Sequence, residues 1–158
     1  MDGSFPTLFI PSEEEIMKEQ EIQLRCRGKL GNLPLVTALA REICTRILNK
    51  KVNKSYCRDV DLCVSEAFTN AVKYGRSSPA APEVHLSFLL FKDRMTIKVG
   101  DEGPGFSLEE VPLPNLNVAS ERGYGLFLIR KKMDEVGYHR GPERNCLVMT
   151  KFYSDTGD

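Results

Sequence analysis

Hydrophobic and polar residues first alternate at Ile22, Leu24 and Cys26, with Gln23 and Arg25 between them. A period of two marks a half-buried strand. Gly28 to Gly31 breaks the run, and Asn32 is placed to cap a helix carrying Pro34 in its first turn. Val36, Leu39, Ala40, Ile43 and Ile47 then recur at helical spacing and form one apolar face. The polar stretch Asn49 to Ser55 predicts a loop. A second helix follows from about Tyr56 to Lys73, with Val60, Cys63, Val64, Ala67 and Ala71 on one face. Gly75 and the segment Ser77 to Pro82 end it. Val84, Leu86, Phe88 and Leu90 alternate next, then Met95, Ile97 and Val99, with the short polar Lys92-Asp93-Arg94 as a hairpin connection.

From Gly100 to Gly125 the chain is rich in Gly, Pro and Asn and has little periodicity, which reads as a functional loop. A helix over 124–135, with Leu126, Ile129 and Met133, and a last strand from about Cys146 to Phe152 complete the pattern. The order strand, two helices, two strands, loop, helix, strand predicts an α/β (α+β) fold. Its form is a two-layer α/β sandwich, with helices on one face of a mixed, largely antiparallel sheet. Residues 1–19 read as an N-terminal arm, in which Pro6 and Pro11 bracket Thr7 to Ile10 and Ser12 with Glu15 suggests a capping box. Residues 20–158 read as one domain.

Composition narrows the classes. The 158 residues suit a single domain, and Lys plus Arg equals Asp plus Glu at 22 each. A formal net charge of zero argues against a strongly basic nucleic-acid module, so no direct nucleic-acid partner is expected. No apolar run approaches the roughly 18 residues of a membrane span, and the early acidic turn at Glu13 to Glu15 does not suit a signal peptide. The five cysteines are Cys26, Cys44, Cys57, Cys63 and Cys146, without C-x-x-C spacing. They read as free thiols of a cytoplasmic protein.

Three constellations carry chemistry. Glu66 and Asn70 are four residues apart on the second long helix, only about 40° apart around its axis. They sit where the helix borders its apolar stripe, so a carboxylate suited to general-base work stands beside an amide oxygen able to ligate Mg²⁺. Asp101 ends a strand and is followed by Gly103 and Gly105, which puts an acceptor carboxylate at the sheet rim beside backbone able to approach a flat ligand. Gly123-Tyr124-Gly125 opens a helix, where backbone amides suit phosphate. Singly, each has an ordinary structural reading: a wet helix edge, a surface turn, a glycine-bearing N-terminal turn.

In this order the three are far more specific. The chain resembles the Bergerat-fold, histidine kinase-like ATP-binding family over about residues 20–152. Within that family, VSEAFTNAVKYG, VGDEGPGF and RGYGLFLIRKKMDEV look most like bacterial anti-sigma factor serine/threonine kinases. The resemblance implies ATP and Mg²⁺ as cofactors. It makes Glu66 the general base, Asn70 the Mg²⁺ ligand and Asp101 the carboxylate that binds the adenine amine. It places Gly103 and Gly105 at the adenine-side turn, and Gly123, Tyr124, Gly125 and Leu126 at the phosphate-side helix start. Ser107 to Arg122 matches the ATP lid, and Arg122 is a candidate phosphate contact by charge and position.

There are departures from the family pattern. Arg144-Asn145 stands where Gly-Thr is usual, leaving Asn145 to donate the hydrogen bond that supports Asp101. Tyr74 stands where a histidine is frequent, and the lid is short, with Pro112 and Pro114. Only two histidines occur, His85 and His139, and no helix pair offers a phosphoacceptor, so a complete histidine kinase is not expected. The implied activity is phosphorylation of a serine or threonine on a STAS-domain anti-anti-sigma partner, with a sigma factor sequestered in turn. A homodimer is implied as well. The alternative is an ATP-binding partner-switch module without kinase activity, which the Arg144-Asn145 departure favours and the intact Glu66 opposes.

Overall fold

The computed structural model describes residues 18–75, 82–108 and 123–153. The expected capping box at Ser12 and Glu15, the lid prolines and Arg122 lie outside these residues. Five strands form one sheet: β1 (Gln20–Arg27), β2 (Glu83–Leu90), β3 (Arg94–Asp101), β4 (Glu135–Arg140) and β5 (Asn145–Phe152). Their order is β1-β2-β3-β5-β4, and each described pairing is antiparallel. Three α-helices, α1 (Leu33–Glu42), α2 (Lys54–Tyr74) and α3 (Tyr124–Lys132), complete the fold.

The alternation read from the sequence explains which face is dry. Leu86, Phe88, Ile97 and Met149 point from the strands into one cluster with Val36, Val60, Val64, Phe68 and Ile129 of the helices. Burying each such side chain contributes about 1.5–3 kcal/mol, so this interface is the main source of stability. On the other face, the hydroxyls of Thr96 and Thr150, cross-strand partners in β3 and β5, bond at 2.9 Å.

Four elements differ from the pattern. The segment expected to continue helically to residue 135 instead ends at Lys132, and β4 follows. Val136 and Tyr138 alternate inward there, and Asp134 N–H donates to Thr150 O at 2.9 Å to start the pairing. That strand is too short and too interrupted by Gly137 to stand out in sequence. After α1 the chain widens into a π-helical turn, Ile43–Leu48. The added residue per turn rotates the apolar stripe, so Ile47 is 44% exposed and Leu48 is buried in its place. Asn32 does sit at the N-cap of α1, but its side chain donates to Arg27 O at 2.9 Å and caps nothing. The expected loop before the second long helix contains a 3₁₀ turn, Asn49–Lys51, and the helix starts at Lys54 with Asn53 as its working cap, accepting from Tyr56 N–H at 2.8 Å.

The site-bearing helices are tied to the sheet at their far ends. Asp59 of α2 pairs with Lys132 at 3.4 Å and Lys151 at 3.6 Å, and Lys151 Nζ donates to Lys132 O at 2.6 Å. Tyr56 hydroxyl donates to Lys151 O at 2.9 Å. These bonds fix the relative rise of α2 and α3, and with it the alignment of Glu66 and Asn70 against the start of α3. All five cysteines are free thiols. Among the described residues no helix is long and apolar enough to cross a membrane.

Candidate functional site

A cavity of about 530 Å³ opens between α2, the rim of the sheet and the start of α3. Asn70, Asp101, Gly105, Gly123 and Leu126 border it, so the three sequence constellations meet around one space. Apolar side chains, among them Ala67, Val99 and Leu147, line much of the rest. Concave, largely apolar walls with a few converging polar groups are the usual form of a small-molecule site.

The sheet register builds the Asp101 end. Asp101 is the last residue of β3 and lies directly opposite Asn145, the first of β5. Asp101 Oδ1 accepts from Gly103 N–H at 2.8 Å. Asn145, only 3% exposed, donates Nδ2–H to Gly103 O at 2.7 Å and faces Asp101 Oδ1 at 3.5 Å. One amide thus holds both the carboxylate and the glycine turn. Burial pushes the Asp101 carboxyl above its ordinary value, and the Gly103 N–H and the Asn145 amide oppose that rise. Arg144 is exposed, with its aliphatic chain against Gly100.

Glycine is required at this end for two different reasons. A Cβ on Gly103 would strike Tyr74 O and stand 2.9 Å from Asp101 Oδ1. Gly105 has φ 76°, a left-handed backbone that other residues adopt only at a cost, and Asn145 Oδ1 and Arg140 Nε lie 2.9 Å from where its Cβ would be. Arg140 donates to Pro104 O at 3.1 Å and pins the turn to β4.

The other end is built by two helices in close approach. Gly123, with φ 83°, is the left-handed N-cap residue of α3. Gly125 is buried against α2: a Cβ there would overlap Glu66 Oε2 and stand 3.5 Å from Asn70 Nδ2. Glu66 and Asn70 therefore face the first turn of α3, whose N-terminal amides favour anions. Leu126 is buried at the cavity edge, whereas the Tyr124 side chain is 45% exposed and lies on Phe127, ring centroids 6.5 Å apart, away from the cavity lining.

No group of three or more His, Cys, Asp or Glu side chains gathers to hold a metal among the described residues. Mg²⁺ does not need one, since it keeps waters and takes most other ligands from phosphate oxygens, with one or two from the protein. Asn70 beside Glu66 at a phosphate-suited helix start fits that donor set.

Two cavity residues fall outside the sequence motifs' assigned roles. Phe106 follows Gly105, and its ring stacks on Tyr138 of β4 with centroids 4.1 Å apart. Burial, with a smaller contribution from the Asp101 carboxylate, pushes the Tyr138 phenol up to about 12. The alternation of Val136 and Tyr138 was the available signal for that strand.

The profile of the histidine kinase-like ATPase domain family matches residues 29–151. The chain is 36% identical over 104 residues to a protein named serine-protein kinase RsbW from Bacillus subtilis, covering 60% of this chain and 63% of that protein. It is 32% identical over 105 residues to the Listeria monocytogenes protein of the same name, covering 61% and 66%. The chain thus matches less than two thirds of these relatives' length. Among solved structures, it superposes on a crystal structure of the RsbU and RsbW domains of a Mycobacterium tuberculosis protein with TM-score 0.63 at 16% identity, over 85% of this chain and 33% of that one. A histidine kinase domain from an Erythrobacter litoralis blue-light-activated kinase gives TM-score 0.50 at 18% identity, over 73% and 60%.

Proposed function

The chain belongs to the histidine kinase-like ATPase domain family, and from that premise we propose that it binds Mg-ATP in this cavity and passes the γ-phosphoryl group to a serine or threonine hydroxyl of a partner protein. The observation that carries the reading is that Asp101 with its glycine turn, Asn70 and the start of α3 border one cavity, with Glu66 beside that helix start against Gly125. The name serine-protein kinase on its relatives supports the reaction class.

In this reading Asp101 accepts a hydrogen bond from the adenine amine, while Gly103 N–H and Asn145 hold its other oxygen. The amides at Gly123 to Gly125 face the phosphates, with Arg122 and Leu126 beside them. Asn70 would hold Mg²⁺ together with phosphate oxygens, and the bound ion would supply charge neutralisation at the phosphates. The acceptor hydroxyl oxygen bonds to the γ-phosphorus as the bond to the β–γ bridging oxygen breaks, ADP leaves, and the hydroxyl proton passes to Glu66. Positioning and charge neutralisation supply most of such a rate.

The acceptor is a STAS-domain anti-anti-sigma protein and the second partner a sigma factor, with the kinase a cytoplasmic homodimer. The alternative of a nucleotide-binding switch without transfer drew its support from Arg144-Asn145. Asn145 reaches Asp101 and Gly103 directly, so that substitution gives no reason to expect a disabled pocket. Glu66→Ala tests the assignment. ATP binding by calorimetry is expected to persist while phosphate transfer to the partner is lost, and transfer at the wild-type rate would falsify the role of Glu66.

A further inference from the structure

Tyr138 reaches the cavity from β4, the strand farthest along the sheet from β1. Its register partner is Leu147 of β5, another cavity residue, two positions beyond Asn145. Phe106 lies on it with ring centroids 4.1 Å apart and planes inclined by 24°. Aromatic rings in close stacked contact stabilise each other and hold each other in place.

The chain around them is arranged to bring the pair together. Gly105 turns the backbone with φ 76°, and Arg140, two residues along the same strand from Tyr138, donates to Pro104 O at 3.1 Å. The turn bearing Phe106 is thereby tied to the strand bearing Tyr138. Both rings are half-buried and both border the cavity, so their surface is not used up in the core. Asp101 borders the same end. A flat heterocycle whose amine meets Asp101 has its ring beside this aromatic pair.

We propose that Tyr138, backed by Phe106, is a base-stacking wall of the nucleotide pocket: the Tyr138 ring face left open by Phe106 takes the purine face while Asp101 takes its amine. This deepens the reading of the cavity as a nucleotide site and rests on it. Base–aromatic stacking is tolerant of ring substituents and depends on the flat surface, so the phenol hydroxyl is dispensable and the ring is not.

The test is calorimetric titration with Mg-ADP of the wild type, Tyr138→Phe, Tyr138→Leu and Phe106→Leu. It is joined by proton NMR of the aromatic region during ADP addition. Tyr138→Phe is expected to bind within about threefold of wild type and Tyr138→Leu about tenfold or more weaker, in line with the loss of one stacking contact, with Phe106→Leu, which removes only the backing ring, between the two. Tyr138 ring protons are expected to shift upfield as ADP saturates the wild type. Inorganic pyrophosphate, which has no base, is expected to bind equally well to wild type and Tyr138→Leu, and a parallel loss of pyrophosphate binding in Tyr138→Leu would overturn the assignment of the ring to the base.

Wild-type ADP affinity in a folded Tyr138→Leu protein overturns the proposal and leaves the nucleotide site standing. Equal loss in Tyr138→Phe and Tyr138→Leu also overturns it, because the hydroxyl would then carry the effect. A wild type that binds no ADP removes the nucleotide reading itself. If the leucine variants do not fold, the wild-type ring shifts decide alone: their absence at saturation overturns the proposal.

Discussion

Gly125→Ala separates the geometry of the site from its stability. Gly125 is the second residue of α3, and its missing side chain is what lets Glu66 lie against that helix. An added Cβ would overlap Glu66 Oε2, the far end of a side chain that can rotate, and would meet Asn70 Nδ2 at 3.5 Å, ordinary van der Waals contact. Alanine in place of helical glycine gains at most about 1 kcal/mol. Forcing Glu66 off its rotamer costs about 0.5–1.5 kcal/mol. The two nearly cancel, so stability should change by about 1 kcal/mol or less, a Tm shift within about 4 °C for a chain of this size.

Phosphate transfer should respond very differently. A displacement of about 1 Å in a positioned group costs on the order of 100-fold in rate. The variant is expected to melt near the wild type by circular dichroism, to bind Mg-ATP within about tenfold by calorimetry, and to transfer phosphate to its partner about 100-fold more slowly. Unimpaired transfer would show that the reaction does not need Glu66 where the structure puts it. A fall in Tm beyond about 10 °C would show that the helix contact cannot yield, and the reasoning from side-chain freedom would be wrong.

Asp101 gives a pH-dependent prediction. Burial raises its carboxyl above the ordinary 3.8, so the folded protein holds this proton more tightly than the unfolded chain. The associated stability is present below 3.8 and is lost as pH rises through the folded value. Asp101→Asn is therefore expected to gain stability relative to wild type between pH 3 and pH 7 in thermal melts, while losing ATP binding; a gap that shrinks as pH rises would contradict the sign. Gly105→Ala combines a left-handed φ of 76° with contacts of 2.9 Å to Asn145 Oδ1 and Arg140 Nε. It is expected to cost about 2 kcal/mol, since left-handed backbone alone costs about 1–2 kcal/mol per residue. Urea denaturation reads this out, and an unchanged midpoint would refute it.

The sequence by itself determined what short-range geometry controls. Four-residue spacing put Glu66 and Asn70 on one side of a helix whatever the helix packs against. Asp101, Gly103 and Gly105 were readable as a rim carboxylate and a turn because a strand period stops at Gly100. The alternating runs also fixed which strand face is dry, and so the two-layer arrangement. The local signal weakens where segments are short or the periodicity shifts. Thus β4, interrupted by Gly137, and the π turn at Ile43–Leu48 were not legible.

Tertiary structure decided every contact made across the sheet or between helices. Asn145 holds Asp101 because the β3–β5 register puts them opposite each other, and Tyr138 meets Phe106 because Arg140 of β4 pins the turn after Gly103. Gly125 reads in sequence as a glycine that bares backbone to phosphate, but its buried position against Glu66 appears only when α3 docks on α2. Such proximities depend on strand order and helix rise, which are set by the burial of the whole apolar face and are encoded in no local stretch of chain.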